Sequence, residues 1–258
     1  MAADPWANLK QFTDARIGLG RSGSAMPTHE VLDFALSHAM ARDAVTTPID
    51  WTPIEKGLAD LGFPTLRVTS ATSDRSEYLR RPDLGRKLSD HSREALVRAS
   101  EMERERPDLV VLVGDGLSST AVSANIVPFL SALEPYITKN GWRLSPILLA
   151  EDARVALGDE AGEILGGKAV LVLIGERPGL SSPDSLGVYI TFSPRVGLKD
   201  ADRNCISNVR QRGLSYEEGA FKTAWILREA FRRGLTGVNL KDELQFLIEG
   251  HKGPELIG

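Results

Sequence analysis

Five apolar residues in a row, Leu109-Val-Val-Leu-Val113, are followed at once by Gly114-Asp-Gly116. A short, valine-rich run with no polar interruption suits a strand buried on both faces. The glycines break the run, and Ser118, Ser119 and Thr120 offer hydroxyls to cap the next element. Val122, Ile126, Phe129, Leu130, Leu133 and Ile137 then recur at three- and four-residue spacing, which predicts a helix with one apolar face. Strand, glycine turn and helix open a nucleotide-type βαβ unit, whose turn aims backbone N–H groups at a polar or anionic ligand.

The rest of the chain extends this pattern. Strands are predicted at 65–69, 146–150, 168–175 and 187–192, besides 109–113, with helices between them. Those helices are expected near 75–79, at 89–106 with Leu96, Ala99 and Met102 inward, at 153–165 behind an Asp152 cap, and at 216–233 before Gly234. The helix after the glycine turn is expected to close from Pro135 to Trp142. The fold class is therefore α/β: a doubly wound, mainly parallel, five-stranded Rossmann-like sheet. It spans residues 64–240, after an N-terminal helical and loop extension (1–63) and before a tail (241–258). In the extension, Thr28 is expected to cap a helix running to about Val45, with Val31, Leu32, Ala35, Leu36 and Ala39 on its apolar face. The glycine-rich loop from Arg16 to Thr28 either docks on a partner or ligand or only connects two helices.

Ligands of open α/β sheets sit outside the carboxyl ends of the strands. That rule selects Gly114–Ser119, Ala150–Val155, Gly175–Pro183 and Ser193–Asn208. Charge narrows the ligand class: a formal net charge of −4 gives no basic face for nucleic acid. One cysteine and four scattered histidines leave no metal-ligand set. No apolar stretch approaches the ~20 residues that cross a bilayer. Asp4 and Trp6 do not fit a secretion signal, so a cytoplasmic location is expected.

Familiar catalytic patterns fail one by one. In Gly114-Asp-Gly-Leu-Ser-Ser119 the third glycine of a dinucleotide fingerprint is replaced by Ser119, and Asp115 would repel a pyrophosphate. Neither a P-loop nor a Gly-x-Ser-x-Gly elbow is present. Cys205 is either a nucleophile or a small packing residue, Glu176 either a solvated loop carboxylate or a ligand contact. Asp202-Arg203 is a helix-capping or ion-pair feature. No catalytic residue and no metal ligand is assigned.

Longer blocks are more specific. Ala15-Arg-Ile-Gly-Leu-Gly-Arg-Ser-Gly23, Tyr78-Leu-Arg-Arg-Pro-Asp-Leu-Gly-Arg86, Val113-Gly-Asp-Gly-Leu-Ser118, Ile174-Gly-Glu-Arg-Pro-Gly-Leu180, Asp202-Arg-Asn-Cys-Ile-Ser-Asn208 and Arg212-Gly-Leu-Ser-Tyr216 resemble, in order, the light chain of adenosylcobalamin-dependent ethanolamine ammonia-lyase. The likeness covers about residues 10–240. It implies a small subunit that pairs with a larger barrel-shaped catalytic chain, the two cleaving ethanolamine to acetaldehyde and ammonia. It implies adenosylcobalamin held between the chains, ethanolamine bound mainly by the large one, and a bacterial microcompartment as the setting. By motif position, Val155, Glu176 and Cys205 are the implied cobalamin-contacting residues, with Val155 on the helix after the third strand. Two departures stand out: the N-terminal part is shorter than many family light chains carry, which implies a missing targeting or assembly segment, and 245–258 does not resemble the family's ending. The alternatives from the residues alone are a stand-alone enzyme on a nucleotide or sugar phosphate, or a non-catalytic assembly protein.

Overall fold

The computed structural model describes residues 6–12, 15–103 and 105–240, so the tail assigned to 241–258 lies outside the described residues. Three parallel pairings build the middle of the sheet. β1 (Thr65–Thr69), β3 (Ile147–Glu151), β2 (Leu109–Gly114) and β4 (Ala169–Gly175) lie side by side in that order. β5 (Leu186–Phe192) then pairs antiparallel with β4, and β6 (Asn204–Val209) antiparallel with β5. The sheet thus has six strands, one more than the sequence predicts. Asn204-Cys-Ile-Ser-Asn-Val209 is too polar to read as a buried run; it is an edge strand with only Ile206 and Val209 buried.

Alternation along the central strands divides the core in two, as the two-residue period of a strand requires. Leu109, Val111 and Val113 of β2 face the same side as Leu171 and Leu173 of β4, under α2 (Thr52–Asp60), α5 (Ser119–Asn140) and α7 (Tyr216–Arg233). Val110, Leu112, Val170 and Val172 face α4 (Asp90–Met102) and α6 (Leu157–Leu165). Helices on both faces make the sheet doubly wound.

Several helix ends move from their predicted places. α5 does not close from Pro135; it runs through Pro128 and Pro135 to Asn140, where Gly141 ends it at φ 63°. Phe129, Leu130, Leu133 and Ile137 are all packed on the sheet, and that burial outweighs the missing backbone donors. Met102 is 85% exposed rather than inward, because α4 stops there. α1 (Thr28–Thr46) starts behind Pro27 with no side-chain cap, not behind Thr28. Its predicted apolar face points outward: Val31, Leu32 and Leu36 are exposed and only Ala44 is buried.

The glycine turn after β2 is shaped by backbone contact. A Cβ at Gly116, where φ is 58°, would overlap the Gly175 carbonyl oxygen, and one at Gly175 would overlap that of Ser118. The close approach lets the Leu117 N–H donate to Gly175 O at 2.9 Å. Gly116→Ala should therefore destabilise the chain by about 2–4 kcal/mol, from left-handed strain plus the clash. A drop in the urea midpoint would show it; an unchanged midpoint would mean that the turn can relax.

Candidate functional site

At the carboxyl edge of β2, β3 and β4 lies an open cavity of about 220 Å³, bordered by Gly116, Arg154, Val155, Glu176, Arg177 and Tyr189, among others. Three of the four stretches chosen by the sheet rule meet here. The fourth divides: because β5 runs antiparallel, Ser193 emerges at the opposite edge, where its N–H donates to Lys168 O at 2.8 Å. β6 brings the chain back, and the Asn208 N–H donates to Glu176 Oε2 at 3.2 Å.

A buried carboxylate, not itself lining the cavity, ties together the loops around it. Asp115 Oδ2 accepts from Arg75 Nη1 at 3.0 Å, and its Oδ1 accepts from the Ala153 N–H at 3.1 Å. Arg75 is on α3 (Arg75–Arg80) and also donates to Asp152 Oδ1 at 3.0 Å. Asp152 is thereby not a helix cap; it is held at φ 52° in a loop. The Arg154 N–H donates to Gly85 O at 2.8 Å, and the Tyr78 hydroxyl to Ala153 O at 2.9 Å. With these donors taken by distant partners, residues 153–156 stay non-helical and α6 begins only at Leu157. Val155 therefore lies in the turn before the helix, not on it.

Glu176 is bound on one side only. Its Oε2 accepts from Asn208 and, in a short bond, from the Ser185 hydroxyl, while Oε1 has no partner among the described residues. Cys205 is exposed on β6, with Sγ 3.4 Å from the Ser207 hydroxyl, and in register opposite Tyr189. It does not border the cavity itself; Tyr189 stands between. Burial first, and Cys205 beside it, push the Tyr189 hydroxyl up, so that side chain stays neutral and can donate. The structure thus puts Val155 and Glu176 in one cavity and Cys205 next to it. Asp202 and Arg203 do both things the sequence left open. Asp202 Oδ2 accepts from the Lys199 N–H at 2.8 Å, while Arg203 makes a buried ion pair with Asp159 at 3.0 Å.

The glycine turn has little left to offer a phosphate. The N–H groups of Asp115, Leu117, Ser118 and Ala121 go to Ala150 O, Gly175 O, Asp115 O and Ser118 Oγ. Sequence reasoning missed Arg154, Tyr78 and Tyr189. Arg154 was reachable, since it adjoins Val155 in a stretch that the sheet rule selects; Tyr78 and Arg75 carry no such positional signal. Among the described residues no group of three or more His, Cys, Asp and Glu is placed to hold a metal ion, and no helix is long and apolar enough to cross a membrane.

These features define a class: a doubly wound α/β domain with a shallow, polar-edged ligand site at its strand ends. The model of the ethanolamine ammonia-lyase light chain family (EutC) matches residues 3–241. An ethanolamine ammonia-lyase small subunit of Pseudomonas fluorescens strain SBW25 is 51% identical over 254 residues, 98% of this chain and 92% of its own. Those of Pseudomonas syringae pv. tomato and Pseudomonas aeruginosa strain LESB58 are each 52% identical, covering 94% and 95% of this chain and 85% and 89% of theirs. The chain belongs to the ethanolamine ammonia-lyase light chain family, and the stand-alone enzyme and assembly-protein readings fall away.

Burial pushes the Asp115 carboxyl up to about 6, from an ordinary 3.8, with Arg75 opposing the shift. A folded-state value above the unfolded one means that the protonated form stabilises. That contribution is complete below about pH 4 and lost as the pH rises through about 6. Between these limits the wild type should lose up to about 3 kcal/mol relative to Asp115→Asn. Urea midpoints of both proteins at several pH values would read it, and a flat or rising difference would sink the assignment.

Proposed function

We propose that this chain forms one wall of an adenosylcobalamin site whose other wall is a larger catalytic chain, in a complex that converts ethanolamine to acetaldehyde and ammonia. The observation that carries this reading is the meeting of Val155 and Glu176 in one cavity, with Cys205 beside it, at the strand ends where such sheets bind ligands. The residues present fit the edge of a corrin. Glu176 Oε1 accepts from its amide side chains, Val155 gives apolar contact, and Cys205 packs against the ring without needing to be a thiolate. At about 220 Å³ the cavity is far too small for a whole corrin. A second chain must supply the rest.

The cofactor, when bound, supplies the cobalt–carbon bond whose homolysis starts radical chemistry. The light chain's share is to bind and orient: Glu176 is fixed by Ser185 and Asn208, and Val155 by the loop pinned at Asp115. No catalytic group is assigned to it; the groups that handle the substrate radical and bind ethanolamine belong to the large chain. Large apolar side chains standing exposed on α1, with Leu32 63% and Leu36 61% exposed, support a protein partner. The family resemblance supports a cytoplasmic setting, within a bacterial microcompartment.

Reconstitution tests this reading. The isolated chain should produce no acetaldehyde, and the complex with a large chain and adenosylcobalamin should. Activity of the isolated chain overturns it. In the complex, Glu176→Ala should weaken cobalamin retention roughly tenfold, the value of about one charged hydrogen bond, with subunit affinity little changed. Dissociation of the chains at unaltered cofactor affinity would make Glu176 an interface residue instead.

A further inference from the structure

Arg154 is an anomaly at this edge. Its Nε is buried without a hydrogen-bond partner, and its guanidinium makes no ion pair or hydrogen bond among the described residues. Three carboxylates lie in the same loop cluster, yet none is bonded to Arg154. Asp115 and Asp152 belong to Arg75, and Glu176 to Ser185 and Asn208. The side chain is nevertheless fixed. Its Cζ sits 4.3 Å from the centre of the Tyr78 ring, and Tyr78 is itself fully buried and bonded to Ala153 O. The backbone on either side is anchored, through the Arg154 N–H to Gly85 and the Ala153 N–H to Asp115. A cation held rigidly at a cavity, with Asp115 and Asp152 committed to Arg75 and Glu176 not bonded to it, is arranged for an anion that arrives from outside.

Charge and shape narrow that anion. Arg154 and Arg177 border the cavity against the single acid Glu176, leaving one net positive charge. Arg177 is exposed and also has no partner among the described residues. A planar guanidinium that stacks on an aromatic ring keeps its N–H edge free, and that fork matches two oxygens of a phosphate.

We propose that Arg154, assisted by Arg177, is a phosphate subsite that takes the phosphodiester of the cofactor's nucleotide loop. The assignment rests on the cobalamin reading. It adds a residue that fixes the position of the cofactor's tail, where Val155, Glu176 and Cys205 meet its ring. Tyr78 acts through Arg154 as a positioning residue, since its ring supports the guanidinium that touches the ligand.

Two corrinoids that differ only in the phosphate decide the matter: adenosylcobinamide and adenosylcobinamide phosphate, titrated against the light chain–large chain complex in the absence of ethanolamine. Wild type should bind the phosphate form more tightly, and Arg154→Gln should erase that preference, a loss of roughly 10- to 100-fold on the phosphate form only. Arg154→Lys, which keeps the charge and loses the fork, should restore part of it. Unchanged melting temperature of each variant complex shows that folding and assembly are intact. Equal weakening of both corrinoids overturns the subsite, because Arg154 would then be touching ring amides or shaping the loop. A phosphate preference that survives in Arg154→Gln overturns it too, by placing the anion elsewhere. Binding of inorganic phosphate alone by the isolated chain, with no preference between the corrinoids, would make this a free-anion site and overturn the link to the cofactor. A wild-type complex that binds neither corrinoid nor adenosylcobalamin overturns the cobalamin reading itself, an outcome distinct from the other three.

Discussion

The carboxyl edge of the sheet depends on one buried carboxylate. Asp115 lies in the turn after β2, and it takes up Arg75 from the helix after β1 and the Ala153 N–H from the loop after β3. Three loops that share no sequence neighbourhood are thereby held in fixed relation. Arg75 extends the tie by donating through Nε to Val45 O at 3.0 Å, near the end of α1. Breaking a buried ion pair from one side costs about 3–5 kcal/mol, since it leaves the other charge stranded. Whether the pair raises net stability matters less than what it positions. Together with the Arg154 N–H bond to Gly85 O, it keeps the loop of Arg154 and Val155 out of the helix that its sequence pattern favours.

How much of this is legible in the chain depends on the range of each interaction. The strands at 109–114 and 169–175 can be read because burial on both faces leaves a local apolar signature. Their convergence at the site comes from topology. The features that escape depend on contacts distant in sequence. Arg75 and Asp115 are 40 residues apart, and Asp115 by itself reads only as an obstacle to a pyrophosphate. β6 escapes because an edge strand with two buried residues has no apolar run. The direction of β5 is written in the loop length. Only the ten residues 176–185 separate β4 from β5, too few for a helical crossover, so the connection has to be a hairpin. That one turn sends Ser193 to the far edge and makes β6 return Asn208 to Glu176.

The outward face of α1 shows the limit of periodicity in another way. Spacing of Val31, Leu32, Ala35 and Leu36 correctly forecasts a helix, but its apolar residues, Phe34 and Met40 among them, are not gathered on one side, and periodicity does not say what covers them. Among the described residues nothing does: Leu32 and Leu36 are more than half exposed. α1 nevertheless joins the molecule at the same edge as the cavity, through Arg75 to Val45 O and through the Ser119 hydroxyl to Thr47 O at 2.7 Å. A large chain seated on α1 would, under the proposed function, lie against the edge where Glu176 Oε1 and the Arg154 guanidinium have no hydrogen-bond partner among the described residues. On this reading the incomplete cavity and the uncovered helix have one cause. Under the proposed function, both are halves of surfaces that the large chain completes. The pinned strand ends then have a use in a fold whose described residues hold no metal-ligand set: under the proposed function they seat a shared ligand at a fixed angle to the partner's chemistry.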